Sequence, residues 1–442
     1  MKTKIKLALV AVMTLNATAV MATNGSNLIA TGAKSRSMGG TGIGVAHGAE
    51  SALSNVSLIT EVQETEVSFG GMFFMPDVSN TDGINLDFSR GGTVAAPNLG
   101  NESGSATSAS DLNVIPEVSI AGKINNNFYM GIGIWGTAGM GVDYRGSKNS
   151  GQMEMVTNLQ LMQFALPLAY TKNNFSIGIT PLLQYGSLDI NYNMSSALQS
   201  AMYMGQTGAL PAQTPQDKNV GSGVAQDLKF GYNLGISYKA QNGITIGAMY
   251  KSQIDMFYKG VLTSAIGAMG VNYTNDTLST PAEIGIGISY TKEKHTVAVD
   301  YKKIKWSKAK GYQDFNWNDQ NVFALGYEYK LKNMGFRIGY NYAKSPISEQ
   351  TRTINAQGQE TNINDAGLSA GLVNTFNTLG FPGIMETHYT IGGCFRLNEQ
   401  TSLATAFVYA PEKEISYSNF LGQKSTTTHS QKTLSFDLVY RF

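Results

Sequence analysis

The sequence predicts an all-β protein: a 14-stranded antiparallel transmembrane barrel with an N-terminal plug, or hatch, in its lumen and short helices in its extracellular loops. Three observations predict it. Large apolar residues alternate with small or charged ones in fourteen separate segments. The connections between those segments are alternately short and long. The chain also ends on such a segment, closing with the aromatic Phe442.

The first element is a leader. Lys2, Lys4 and Lys6 precede a short apolar run over 7–15, and Val20-Met21-Ala22 forms a small-residue cleavage site. That pattern is a secretory signal peptide, so residues 1–22 are assigned to it and the mature chain is expected to start at Thr23. The run is too short for a membrane-spanning helix, which needs about 20 residues. Loss of the leader leaves 29 basic against 31 acidic side chains, a formal charge of about −2. That balance excludes nucleic acid as a partner, because phosphate binding needs a basic surface. The one cysteine, Cys394, excludes an internal disulfide framework. Charged residues make up 14% of the chain, against about 25% in soluble domains. A charge-poor, tyrosine-rich composition suits a wall that faces lipid between two aromatic girdles.

Residues 23–60 are the plug. They have no period-two pattern and are rich in Gly, Ala and Ser. The run Gly39-Gly40-Thr41-Gly42-Ile43-Gly44 lacks the Lys-Ser/Thr ending and the preceding strand of a phosphate loop. Tight packing inside a barrel is the better use of these glycines, with Gly39 and Gly40 at its centre.

Residues 61–442 are the barrel. Successive side chains of a strand point to opposite faces, and at 229–239 Phe230, Tyr232, Leu234, Ile236 and Tyr238 take one face while Lys229, Gly231, Asn233, Gly235, Ser237 and Lys239 take the other. The same alternation marks 62–75, 112–124, 128–144, 154–171, 175–192, 228–239, 244–259 and 281–291. It continues at 295–310, 320–331, 335–344, 388–397, 401–410 and 433–442. Short polar connections occupy 125–127, 172–174, 240–243, 292–294, 332–334 and 398–400. Long ones occupy 76–111, 145–153, 193–227, 260–280, 311–319, 345–387 and 411–432. Short periplasmic turns, long extracellular loops and an even strand number describe a multi-pass barrel in the outer membrane of a Gram-negative bacterium. A soluble sandwich gives no reason for strict long–short alternation. By parity, Lys229, Arg337, Arg441 and Cys394 face the lumen.

Three loops are apolar for extracellular segments. Leu198 and Met202 follow Ser195-Ser196, a helix cap. Ile266 and Met269 cluster in the next long loop. Leu368, Leu372, Phe376 and Leu379 recur at helical spacing after Asp365 and before Gly380. Leu198, Met202, Ile266, Met269, Leu372 and Phe376 are therefore candidate contacts for a hydrophobic ligand. The alternative is that they only pack on each other and cap the barrel. In the third strand Gly136, Gly139 and Gly141 mark a candidate kink, since glycine in a strand often accompanies a bulge and permits backbone angles barred to other residues.

His47, His295, His388 and His429 show no metal-ligand spacing. No metal and no cofactor is expected, and no nucleophile–base pair points to an enzyme.

The plug stretch Gly32-Ala33-Lys34-Ser35-Arg36-Ser37-Met38-Gly39-Gly40, followed by Ser54-Asn55-Val56-Ser57-Leu58, resembles the FadL/TodX family of outer-membrane transporters for long-chain fatty acids and aromatic hydrocarbons. Phe230-Gly231-Tyr232-Asn233, Phe257-Tyr258-Lys259-Gly260, Trp306-Ser307 and Ser345-Pro346-Ile347 resemble it in the same order. The family usually reads Asn-Pro-Ala where this chain has Asn55-Val56-Ser57, so only the Asn is kept. The resemblance implies passive uptake: capture in a groove of the extracellular loops, transfer to a lumen pocket, movement of the plug and lateral exit at a kinked third strand. It also implies a basic lumen residue for a carboxylate where this chain reads Gln184-Tyr185-Gly186-Ser187-Leu188. Fatty acid and neutral hydrocarbon both stay open as solutes. A general porin or a surface adhesin or receptor is the competing function. Expected partners are hydrophobic small molecules, outer-membrane lipid and lipopolysaccharide, and the barrel-assembly machinery through Phe442; the expected state is a monomer.

Overall fold

The computed structural model describes residues 24–82, 104–147, 150–207, 209, 211–356 and 358–442. The leader expected at 1–22 lies outside the described residues, as does most of the first long connection. Among the described residues fourteen wall strands close into one antiparallel sheet. They are β1 (Thr65–Asp82), β2 (Asn113–Lys123), β3 (Phe128–Asp143), β4 (Val156–Ala165, continued as Leu168–Lys172), β5 (Phe175–Met194), β6 (Ala225–Lys239) and β7 (Ile244–Lys251). They continue as β8 (Glu283–Lys292), β9 (His295–Ile304), β10 (Gln320–Lys330), β11 (Met334–Ala343), β12 (Thr387–Arg396), β13 (Thr401–Ser418) and β14 (Lys424–Arg441). β1 pairs with β14 from Glu66 opposite Arg441 to Asp82 opposite Ser425, which closes the barrel. Closure leaves no sheet edge in hydrocarbon, where each unsatisfied backbone group costs several kcal/mol.

The alternation read from the sequence is the alternation of exposure. In β8, Ile284, Ile286 and Ile288 are exposed while Glu283 and Ser289 are buried. Phe69, Ile132, Ile177, Ile338 and Ile391 on other strands are exposed in the same way. With no water to meet, these side chains form a lipid-facing belt, and the barrel is a multi-pass one of the Gram-negative outer membrane.

The strand ends depart from the sequence reading. The connection expected at 411–432 is mostly strand: β13 runs to Ser418, β14 begins at Lys424, and only 419–423 turns. These Ser- and Thr-rich extensions lack an apolar face because they stand above the lipid. A register shift between Ala410 and Lys413, at Pro411, separates them from the wall, since Pro has no N–H for the ladder. β1 likewise starts at Thr65 and extends to Asp82. The segment expected at 244–259 breaks after Lys251; Ile254–Phe257 pairs instead with Thr277–Thr280 as a separate two-stranded sheet.

The loop helices are α2 (Ser196–Thr207), α3 (Val261–Gly267) and α4 (Ala370–Thr375), with α1 (Ala33–Ser37) in the plug. The Leu198 N–H donates to Ser195 Oγ at 3.1 Å, the cap expected for α2. In α4 the cap is Ser369, which accepts from the Leu372 N–H. That helix continues as a wider turn over Phe376–Gly380.

Candidate functional site

Residues 24–61 lie inside the barrel, held by the lumen-facing ends of the alternating strands. Arg36 forms a buried ion pair with Glu117 of β2 and donates to Ser435 Oγ of β14 at 3.2 Å. The Ala33 N–H donates to Asp437 of β14, and the Gly32 N–H donates to Glu117. Lys34 lies 3.3 Å from both Glu50 and Glu66. Burial opposes its charge, but the two carboxylates outweigh that and raise its pKa. The Gly42 and Ile43 N–H groups donate to Asp300 of β9 at 2.7 and 2.8 Å. His47 is pushed down to about 3 by burial and by the neighbouring Arg337 charge, so it is neutral. Its Nε2 lies 2.8 Å from Thr41 O and, as the neutral ring's donor, holds that carbonyl.

The glycines and Asn55 act by close approach. A Cβ on wall glycine Gly339 would stand 2.1 Å from Gly39 N, and one on Gly326 2.6 Å from Met38 O. Gly39 itself has φ +69°, and its N–H donates to Thr390 Oγ1 at 2.9 Å. Gly40, at φ +86°, approaches Ile29 O. The Asn55 amide donates to Ile43 O at 2.8 Å and to Ile236 O of β6 at 3.0 Å. Its oxygen accepts from the Ser57 N–H and hydroxyl. One side chain thus ties plug to plug and plug to wall. That role needs the amide and not the Pro-Ala that usually follows it.

The wall is discontinuous beside the plug's start. The β2–β3 ladder runs from Lys123 opposite Tyr129 to Glu117 opposite Trp135 and stops there. β3 continues upward with a register shift against β4 between Gly136 and Ala138. At that shift the plug takes the place of a strand. Asn27 bridges Ala138, the Leu28 N–H donates to Thr137 O at 3.3 Å, and the Gly139 N–H donates to Ser26 O at 3.0 Å. Higher up, the Ala109 N–H donates to Asp143 O and bounds the gap. Ile115 fills it: a Cβ on Gly136 would sit 2.4 Å from Ile115 Cγ2. Gly136, Gly139 and Gly141 do not take positive φ. The distinguishing feature at Gly136 is therefore room for a neighbour, not a backbone angle barred to other residues.

A cavity of about 80 Å³ adjoins this junction. Leu28, Ile43, Ala138, Met249 and Ile254 supply its apolar lining, and Lys251, Glu283, Asp300 and Lys302 its charge. Glu283 lies 3.5 Å from Lys251 and 3.6 Å from Lys302 and accepts from the Asn27 amide at 3.0 Å. Two ammonium groups thus face two carboxylates, Glu283 between them and Asp300 held by the plug's Gly42 and Ile43 N–H groups. The sequence reading missed both lysines, because the run Tyr301-Lys302-Lys303 hides which one faces inward and Lys251 ends its strand. Gln184 is buried; its oxygen accepts from Gln163 and its amide donates to Thr280 Oγ1. Lys229 is on the lumen side with its cross-strand partner Gln184, as parity expected, but it pairs with Asp227 and its side chain is 46% exposed. That end of β6 stands above the plug, where both faces meet solvent.

Above the plug the six loop residues meet in one apolar cluster. Leu198, Ile266, Met269, Leu372 and Phe376 are buried and Met202 is half-buried against them. None lines the lumen cavity. The loop after β9 adds Trp306, Tyr312, Phe315 and Trp317 to the cluster, of which the sequence reading quoted only Trp306. Trp306, Tyr312 and Trp317 stack with ring centroids 4.6–5.1 Å apart. Phe315 packs on Phe376, and the Tyr312 hydroxyl donates to Ser26 in the plug. Gly25, at φ +65°, lies against Trp306 and Trp317, where any Cβ would clash. The loop cluster and the plug's first residues are therefore one packed unit.

The chain is similar to known proteins over most of its length. A long-chain fatty acid transport protein of Escherichia coli is 26% identical over 384 residues, 76% of this chain and 82% of that one. A 47 kDa outer membrane protein of Pasteurella multocida is 22% identical over 91% of this chain and 92% of its own length. Among solved structures, a Pseudomonas aeruginosa FadL homologue superposes with a TM-score of 0.67 at 15% identity, covering 96% of this chain and 99% of that chain. The Pseudomonas putida toluene transporter TodX superposes with a TM-score of 0.62 at 17% identity, covering 95% and 100%. Residues 7–369 match the family described as "Outer membrane protein transport protein (OMPP1/FadL/TodX)", and the chain belongs to that family.

Proposed function

We propose that this protein takes up hydrophobic compounds passively across the outer membrane, by way of the loop cluster, the lumen cavity and the gap in the wall. The observation that carries this reading is the plug strand Ser26–Leu28 completing the wall at β3 beside the cavity. Movement of one short segment would both enlarge the cavity and open a lateral route. The plug's buried ion pairs are at Lys34 and Arg36, so a shift of Ser26–Leu28 breaks the Asn27–Glu283 hydrogen bond but no ion pair among the described residues. Residues 1–22 are the export signal, 23–60 the plug and 61–442 the barrel. The exposed Phe442 is the residue offered to the assembly machinery, the belt faces lipid and lipopolysaccharide, and the barrel works as a monomer.

Lys251 and Lys302 favour a solute with a carboxylate head, a long-chain fatty acid, over a neutral hydrocarbon. A charge-assisted contact contributes roughly 1.5–3 kcal/mol. The double variant Lys251→Met with Lys302→Met is expected to weaken palmitate binding at least tenfold. Toluene binding should be unchanged or tighter. Equal loss for both solutes, measured by calorimetry in detergent, would contradict the carboxylate role.

The loop cluster is the entry surface in this reading. Leu372→Asp with Phe376→Asp removes two buried apolar contacts, each contributing roughly 1.5–3 kcal/mol. Solute affinity is then expected to drop about a hundredfold in correctly inserted protein. Unchanged affinity would assign these residues to capping alone.

A further inference from the structure

The lower end of the lumen carries a second cavity, separate from the one beside the gap. It has a volume of about 540 Å³ and is lined by the turn 330–335 and by the underside of the plug. That turn is a short one, so the cavity opens to the periplasm. Six cations line it: Lys34, Lys330, Lys332, Arg337, Arg396 and Arg441. The carboxylates among its lining are Glu61, Glu66 and Glu328, half as many. Glu66 is shared by Lys34 and Arg441, and Glu328 by Arg337 and Lys330.

Arg337 lines this cavity while itself buried. Its side chain is 7% exposed, and its Nη2 contacts Glu328 at 2.5 Å. Its Nε and Nη1 are buried with no hydrogen-bond partner among the described residues. A guanidinium carries five donors and cannot shed its proton, so burial with two donor atoms unmet is costly. The cavity that Arg337 lines is the space an acceptor would take, since the position opposite it is filled by Ser37 of the plug. Arg337 stands opposite Gly392, and Gly335 stands opposite Cys394. His47 is neutral and adds no repulsion.

We infer that this periplasm-facing vestibule is an oxyanion-binding site, with Arg337 as its principal donor and Lys332 and Arg396 at its mouth. The ligand class is a phosphate or a carboxylate, either free in the periplasm or carried as the headgroup of an inner-leaflet lipid. The site does not depend on the uptake route, because it shares no lining residue with the cavity at the wall gap.

Calorimetry of the full chain in neutral detergent, titrated with inorganic phosphate, tests it. Saturable binding is expected, weakened at least tenfold by Arg337→Gln and less by Arg337→Lys, which keeps charge but loses the fork. Lys303→Gln at the opposite rim should change nothing. If Arg337→Gln does not fold, Lys332→Gln with Arg396→Gln, both at the mouth, is expected to weaken binding several-fold. Phosphatidylglycerol in mixed micelles forms the second arm. Competition by the lipid at lower concentration than phosphate assigns the headgroup; competition by phosphate alone assigns the free ion. No saturable binding of either, or binding indifferent to Arg337 and to the mouth pair, overturns the inference.

Discussion

A disulfide across the wall gap is expected to abolish solute uptake while leaving surface binding intact. A Cβ at position 136 lies 3.7 Å from the Cβ of Ile115, within the roughly 3.5–4.5 Å that disulfides need. The variant Ile115→Cys with Gly136→Cys, in a Cys394→Ser background, places the bond between β2 and β3 where their ladder has stopped. Oxidised protein should deliver less than a tenth of the normal flux of labelled fatty acid in cells, and a reductant should restore it. The physical reason is the destination. Apolar surface gains about 25 cal/mol per Å² on leaving water, so a hydrophobic solute is better released into lipid than into the aqueous periplasm. Normal flux through the oxidised form would show that the solute leaves by another route.

Excision of residues 24–61 is expected to convert a closed barrel into a steady ion conductor. The segment supplies the cations that face Glu117 and Glu66 and the N–H groups that face Asp437 and Asp300. Breaking a buried pair by removing one partner costs about 3–5 kcal/mol, unless water enters to solvate what is left. Water is the only replacement available, and a water-filled lumen conducts. Planar-bilayer recording should give a large, continuous open level for the deletion and only brief events for the full chain. An inserted deletion variant with unchanged conductance would mean that the segment does not seal the lumen.

The wall was legible in the sequence because one physical rule, apolar outward and small or polar inward, acts on every membrane-crossing residue. It produced the strand number, the short turns and the lipid-facing positions such as Ile286 and Ile338. Where that rule stops acting, so did the reading: the Ser- and Thr-rich upper ends of β13 and β14 pair in water, where no face must be apolar. The cap at Ser195 was legible because it is a local contact, and Asn55 because it lies in the stretch that resembles the family.

Contacts between distant segments were decided only by the tertiary structure. Nothing local relates Ser26–Leu28 to Ala138, Gly25 to Trp306, or Lys251 to Glu283 and Lys302. Parity assigned Arg337 to the lumen but could not tell that Glu328 would meet only one of its nitrogens. Parity also put Lys229 on the lumen side but could not tell that it would stay exposed beside Asp227. By itself, then, the sequence determined a plugged barrel in a lipid bilayer, because burial in hydrocarbon constrains each residue separately. The tertiary structure decided where the plug completes the wall, which lysines charge the cavity and which arginine is left with open donors, because each of these is a property of pairs far apart in the chain.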